Sequence, residues 1–132
     1  MAPPLDLGRV LGLLAVHDAA EALLGDWPRT VSELLPPGAK AAAESAAADR
    51  VLAPLSVFAR DLAREYAAAA TREARFARLC DRLQMGVRLV AYIASGRRGL
   101  ADFAATLRRL DTTEFPAAAD LHRDLLTALE FA

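Results

Sequence analysis

The sequence predicts an all-α fold, a single-domain and mostly antiparallel bundle of five or six helices, and three observations predict it. Alanine supplies 31 of the 132 residues, and Leu and Arg are abundant beside it, all of them strong helix formers. Isoleucine occurs once and asparagine not at all, so the β-branched and turn residues of a β-sandwich are scarce. Apolar residues recur at steps of three and four along most of the chain, which is the helical period.

Taken in order, the first helix is expected over 6–24. Asp6 follows two prolines as its cap, and Gly25 can end it in the left-handed region. Gly8, Gly12, Ala15 and Ala19 fall on one narrow arc of that helix, flanked by Leu11, Val16 and Leu23. Small residues in such a line let a second backbone approach closely, so they form the predicted packing or interaction line. On that reading, Ala15→Leu is expected to overpack the contact and cost about 1–3 kcal/mol.

Asp26-Trp27-Pro28-Arg29 reads as a turn, and Thr30 to Glu33 has capping-box spacing for a short helix over 30–35. Pro36-Pro37-Gly38 breaks the chain before an Ala-rich helix over 40–52. From Leu55 to Ser95 the sequence is helix-compatible throughout. A single helix of that length would extend about 60 Å, so two are expected, 55–70 and 72–95, parted near Ala70 and Thr71. Leu55, Phe58, Leu62 and Tyr66 stripe the first; Phe76, Leu79, Leu83, Val87, Val90 and Ile93 stripe the second. A helix over 100–110 turns Phe103, Leu107 and Leu110 inward. The last helix, 116–131, starts on Pro116 with Leu121, Leu125 and Leu129 on one face.

Charge is unevenly spread. Residues 1–50 carry a net −3, residues 51–110 a net +6 and residues 111–132 a net −4. Acidic ends around a basic middle are complementary to each other or to a partner. One cysteine, Cys80, rules out an intrachain disulfide. The N-terminus lacks a basic region before its apolar run, and no stretch has the roughly 18 apolar residues of a membrane span. A cytoplasmic protein with no membrane association is the expectation.

Most catalytic templates fail on inventory. One Cys and two His cannot build a Cys-rich zinc site. Neither His17 nor His122 is preceded at three residues by Glu, as a di-iron bundle requires. Phosphate-binding glycine loops and a nucleophile elbow are absent. His17 has Asp18 beside it and Glu21 one turn on, which could make a base or a metal ligand. It is read instead as a boundary histidine paired with a helix neighbour. His122 reads as a solvated surface residue and Cys80 as a buried, inert thiol. No catalytic residue, cofactor or metal is therefore predicted.

Function is expected to be non-enzymatic: a small helical adaptor or regulatory subunit that binds a protein partner or itself, as a homodimer. The surplus apolar face of the first helix and the segregated charge motivate it. The alternative is a nucleic-acid-binding regulator whose Arg75, Arg78, Arg82, Arg97 and Arg98 contact phosphates. Interleaved acids, and the want of a turn glycine at Asp111-Thr112-Thr113 for a helix-turn-helix, weigh against it.

Overall fold

A computed structural model describes residues 3–131, and it is all-helical, without strands among those residues. Eight helical segments follow one another: α1 Leu7–Val16, α2 Glu21–Leu24, α3 Arg29–Leu34, α4 Ala39–Leu52, α5 Val57–Ala68, α6 Arg72–Ala94, α7 Ala101–Arg108 and α8 Pro116–Glu130. The chain falls into two compact units that meet in sequence at Ala77 and Arg78, within α6. None of these helices is long and apolar enough to cross a membrane.

In the first unit, α1 and α4 both pack on α5, and α2 packs on α4. The core gathers Val10, Leu13, Leu62, Ala74 and Ala77, with Leu14, Val16, Tyr66 and Phe76 packed against it. Asp6 caps α1 by accepting from the Arg9 amide at 3.0 Å. Ser56 does the same for α5 through the Ala59 amide at 3.3 Å. Helix α5 ends where Ala69 takes a left-handed φ of 51°, and the Thr71 hydroxyl then accepts from the Ala74 amide to start α6. That interruption separates the two helices of the 55–95 stretch.

The expected helix over 6–24 is divided. After Val16 the backbone passes through a turn at residues 17–20 before α2 begins. Between Ala19 and Leu23, four amides bond three residues back, to Val16, Asp18, Ala19 and Ala20, instead of four. The ladder tightens there into 3₁₀-type bonding. The predicted small-residue line lies only partly against the core of this unit. Helix α1 meets its core through Val10 and Leu13, while Gly8 and Ala15 are exposed and Gly12 and Ala19 are half-buried. Gly12 on that line approaches another element, since a Cβ there would stand 3.2 Å from Leu62 Cδ1. Ala15→Leu is therefore expected to change stability by no more than about 0.5 kcal/mol, which a thermal melt of the variant checks.

Other inward assignments move outward. Leu55 and Phe58 are 76% and 66% exposed, because α5 starts only at Val57. Phe103 is exposed as well, and α3 is preceded by Pro28 with no side-chain cap, leaving Thr30 inside the helix. In the second unit α7 packs against α8, and Leu107 is wholly buried. Gly86 is there for space: a Cβ would lie 2.8 Å from Leu107 Cδ1 and 3.1 Å from Leu125 Cδ1.

Candidate functional site

The only His-Asp dipeptide of the chain, His17-Asp18, lies in the tightened turn between α1 and α2. The His17 side chain is largely buried, at 20% exposure, while that of Asp18 is 59% exposed. His17 Nδ1 stands 2.6 Å from the Leu14 carbonyl oxygen. That oxygen can only accept, so Nδ1 carries a proton and donates it. Nε2 faces the other way, 3.0 Å from Asp18 Oδ2. The Tyr66 ring, at the last turn of α5, lies against the imidazole with centroids 5.4 Å apart and planes tilted by 57°.

Behind the turn stands a polar network. Glu65, beside Tyr66, receives Arg9 Nε at 3.1 Å and a second bond from the same guanidinium, and the Thr71 hydroxyl donates to it at 2.6 Å. The Arg9 hydrogen bonds, supported by that of Thr71, hold the Glu65 carboxyl below the usual glutamate range although it is largely buried. Thr71 thereby joins the α5 side chain to the start of α6. Glu21 opens α2, with its amide bonded to the Asp18 carbonyl at 2.9 Å.

Among the candidate arginines, Arg75 and Arg97 have structural employment. Arg75 is exposed and donates to the Ala70 carbonyl at 2.7 Å, closing the end of α5. Arg97 lies over the Tyr92 ring at 4.9 Å, a cation–π contact. Arg82 and Arg98 are exposed and Arg78 is half-buried. His122 is not the solvated residue expected; it is half-buried with Nε2 2.8 Å from the Leu107 carbonyl. Cys80 is half-buried rather than buried, and that burial pushes its thiol up.

A family model described as an HD domain matches residues 1–116. The chain belongs to that family. No curated protein and no solved structure matches it significantly. Domains of this family are typically metal-dependent phosphohydrolases or phosphodiesterases. The match overturns the expectation of a non-enzymatic adaptor. It also leaves the adaptor and homo-oligomer assignments without support.

The donor set answers only part of what a metal would need. An imidazole nitrogen and an adjacent carboxylate are ligand types that suit a divalent transition metal, and the Leu14 carbonyl on Nδ1 is the usual support for a ligating histidine. Among the described residues, however, no group of three or more His, Cys, Asp or Glu side chains comes together to hold an ion. A catalytic metal site takes about three protein ligands. His17 and Asp18 do not complete one by themselves.

The sequence reading weighed His17 with both Asp18 and Glu21 as a base or metal ligand and set that aside for a boundary histidine paired with a helix neighbour. The structure puts Asp18 Oδ2 3.0 Å from His17 Nε2.

Proposed function

We propose, taking membership of the HD domain family as the premise, that this chain hydrolyses a phosphate ester at His17-Asp18. The observation that supports the reading is the orientation of His17. Its Nδ1 is committed to a backbone carbonyl, and its Nε2 is turned towards the exposed Asp18 carboxylate.

The chain's own residues account for one part of such chemistry. When Nε2 is protonated, it donates to Asp18 Oδ2, and the carboxylate holds that proton at the solvent side of the ring. As a water oxygen bonds to phosphorus and the P–O ester bond breaks, the same nitrogen can release the proton to the departing ester oxygen, and so act as general acid. A cytoplasmic setting agrees with the single, half-buried thiol of Cys80.

The test is turnover of p-nitrophenyl phosphate and of bis(p-nitrophenyl) phosphate by the full chain, with magnesium, manganese, cobalt or zinc added singly. His17→Ala is expected to lower turnover by about 10²-fold or more, and Asp18→Asn to lower it too. Equal turnover in wild type and His17→Ala would overturn the proposal. So would a folded wild-type chain that hydrolyses neither ester with any of the four ions.

A further inference from the structure

We infer that the surface at the C-terminal end of α6, formed by Arg88, Tyr92, Arg97 and Arg98, binds single-stranded nucleic acid. It lies within the second unit and does not depend on the His17-Asp18 chemistry proposed above.

The sequence supplies the charge. From Arg82 to Ala101 there are four arginines and no Asp or Glu. Arg88 and Tyr92 stand one turn apart on the same side of α6. Both are exposed, as are Arg97 and Arg98. Among the described residues, neither Arg88 nor Arg98 has a hydrogen-bond, ion-pair or ring partner.

The end of the helix fixes the aromatic ring among these cations. Gly96 takes a left-handed φ of 86°. Its amide donates to the Ile93 carbonyl at 2.9 Å, and the Arg97 amide donates to the Tyr92 carbonyl at 3.0 Å. This pair of bonds is a Schellman cap, which folds the residue after the left-handed one back onto the last turn. Arg97 accordingly lies over the Tyr92 ring, 4.9 Å from its centre. Bare carbonyls at a helix C-terminus would oppose an anion. Here those of Tyr92 and Ile93 are bonded, the first also by the Ser95 hydroxyl at 2.8 Å.

Exposure and chemistry together select the ligand. A small molecule is held in a concave site, whereas these four side chains stand in solvent, Tyr92 itself being 42% exposed. A polyanion needs no concavity, because each phosphate that an arginine neutralises releases counterions. Among polyanions the tyrosine decides. Arg97 stacked on Tyr92 is a platform for an unpaired base, which a duplex does not present. Of the arginines that the sequence nominates for phosphates, Arg97 and Arg98 belong to this surface.

The experiment is fluorescence anisotropy of the full chain with a labelled oligothymidylate of about 20 nucleotides, in EDTA and over a range of potassium chloride concentrations. The duplex with oligoadenylate is titrated alongside, and inorganic polyphosphate serves as competitor. Wild type is expected to bind the single strand more tightly than the duplex, with affinity falling as salt rises. Arg88→Gln and Arg98→Gln should each flatten the logarithmic salt dependence by about 0.7, the share of one single-strand phosphate. Tyr92→Ala should weaken binding about 5–100-fold, as for the loss of one stacked base, and keep the slope. Arg50→Gln, which removes the same charge from an exposed position of α4, should change neither.

No binding at the lowest salt overturns the inference. So do arginine variants with the wild-type slope, a folded Tyr92→Ala chain with wild-type affinity, or a duplex or polyphosphate held as tightly as the single strand. Should Tyr92→Ala not fold, the two arginine variants and the duplex comparison decide. EDTA withholds added metal from any hydrolysis, so failure of the hydrolytic reading leaves this result standing, and the reverse.

Discussion

Leu107→Ala should destabilise the protein by about 2–5 kcal/mol, the range for truncating a fully buried leucine. Leu107 has no exposed surface, and its side chain fills the space above Gly86, where an added Cβ would meet Leu107 Cδ1 at 2.8 Å. Its carbonyl also receives the His122 contact. The neighbouring glycine makes the prediction sharper. Replacing a mid-helix glycine by alanine ordinarily gains about 1 kcal/mol. At Gly86 that gain is opposed by overpacking of about 1–3 kcal/mol, because a buried Leu107 has nowhere to swing.

Gly86→Ala should therefore be neutral to destabilising alone, and stabilising when Leu107 is already alanine. Denaturant unfolding of the two single variants and the double variant checks this. A coupling of at least about 1 kcal/mol is expected, and additivity within about 0.5 kcal/mol would refute the contact.

Glu65→Ala should cost about 2–3 kcal/mol, since it strips Arg9 and Thr71 of a largely buried partner. The exposed pair Arg29–Glu33 offers the contrast: Glu33→Ala should cost no more than about 0.5 kcal/mol. The same carboxylate gives stability a pH dependence of definite sign. Arg9 holds the folded carboxyl below its ordinary range, so the unfolded chain takes up the proton first as pH falls. The stabilisation is complete above the ordinary glutamate range, near about 4.3, and is lost as pH drops further through the folded value. Glu65→Gln should flatten the pH dependence of unfolding below about pH 5. Asp49, held down by Arg64, and Asp111, held down by Thr113, keep part of the slope. An unaltered slope in Glu65→Gln would count against the network.

The helical class was legible because composition and period agree: alanine and leucine favour helix everywhere, and little in the chain favours strand. Burial was legible where a stripe runs through a helix centre. Leu62, Leu79, Leu83 and Leu125 are all buried. Leu55 and Phe58 were misread because a 3.6-residue period cannot say where a helix begins, and Ser56 capping puts them at the exposed start of α5. Glycine and alanine marked a line on α1 that invites contact, but larger side chains chose the buried face through Val10 and Leu13.

The site was the least legible part. Adjacent residues in a regular helix point about 100° apart, so the adjacency of Asp18 to His17 seen in the sequence does not by itself bring the two side chains together. The turn after Val16 removes that geometry, and no local propensity in Ala15 to Ala20 announces it. Tyr66 was visible only as one more apolar position of a stripe. Its contact with His17 spans 49 positions of sequence and depends on α5 being folded against α1.

The three-residue bonds around the dipeptide also have a kinetic meaning. Such bonds have poorer geometry than the four-residue bonds of an α-helix, so the amides from Ala19 to Leu23 open at lower free energy than those inside α1. Val10 and Leu13 remain clamped while that happens, because their packing lies a full turn or more earlier in the chain. The backbone bearing His17 and Asp18 can thus breathe by one turn without melting the unit around it. On the hydrolytic reading proposed above, an incoming ester would meet a segment able to reshape itself locally.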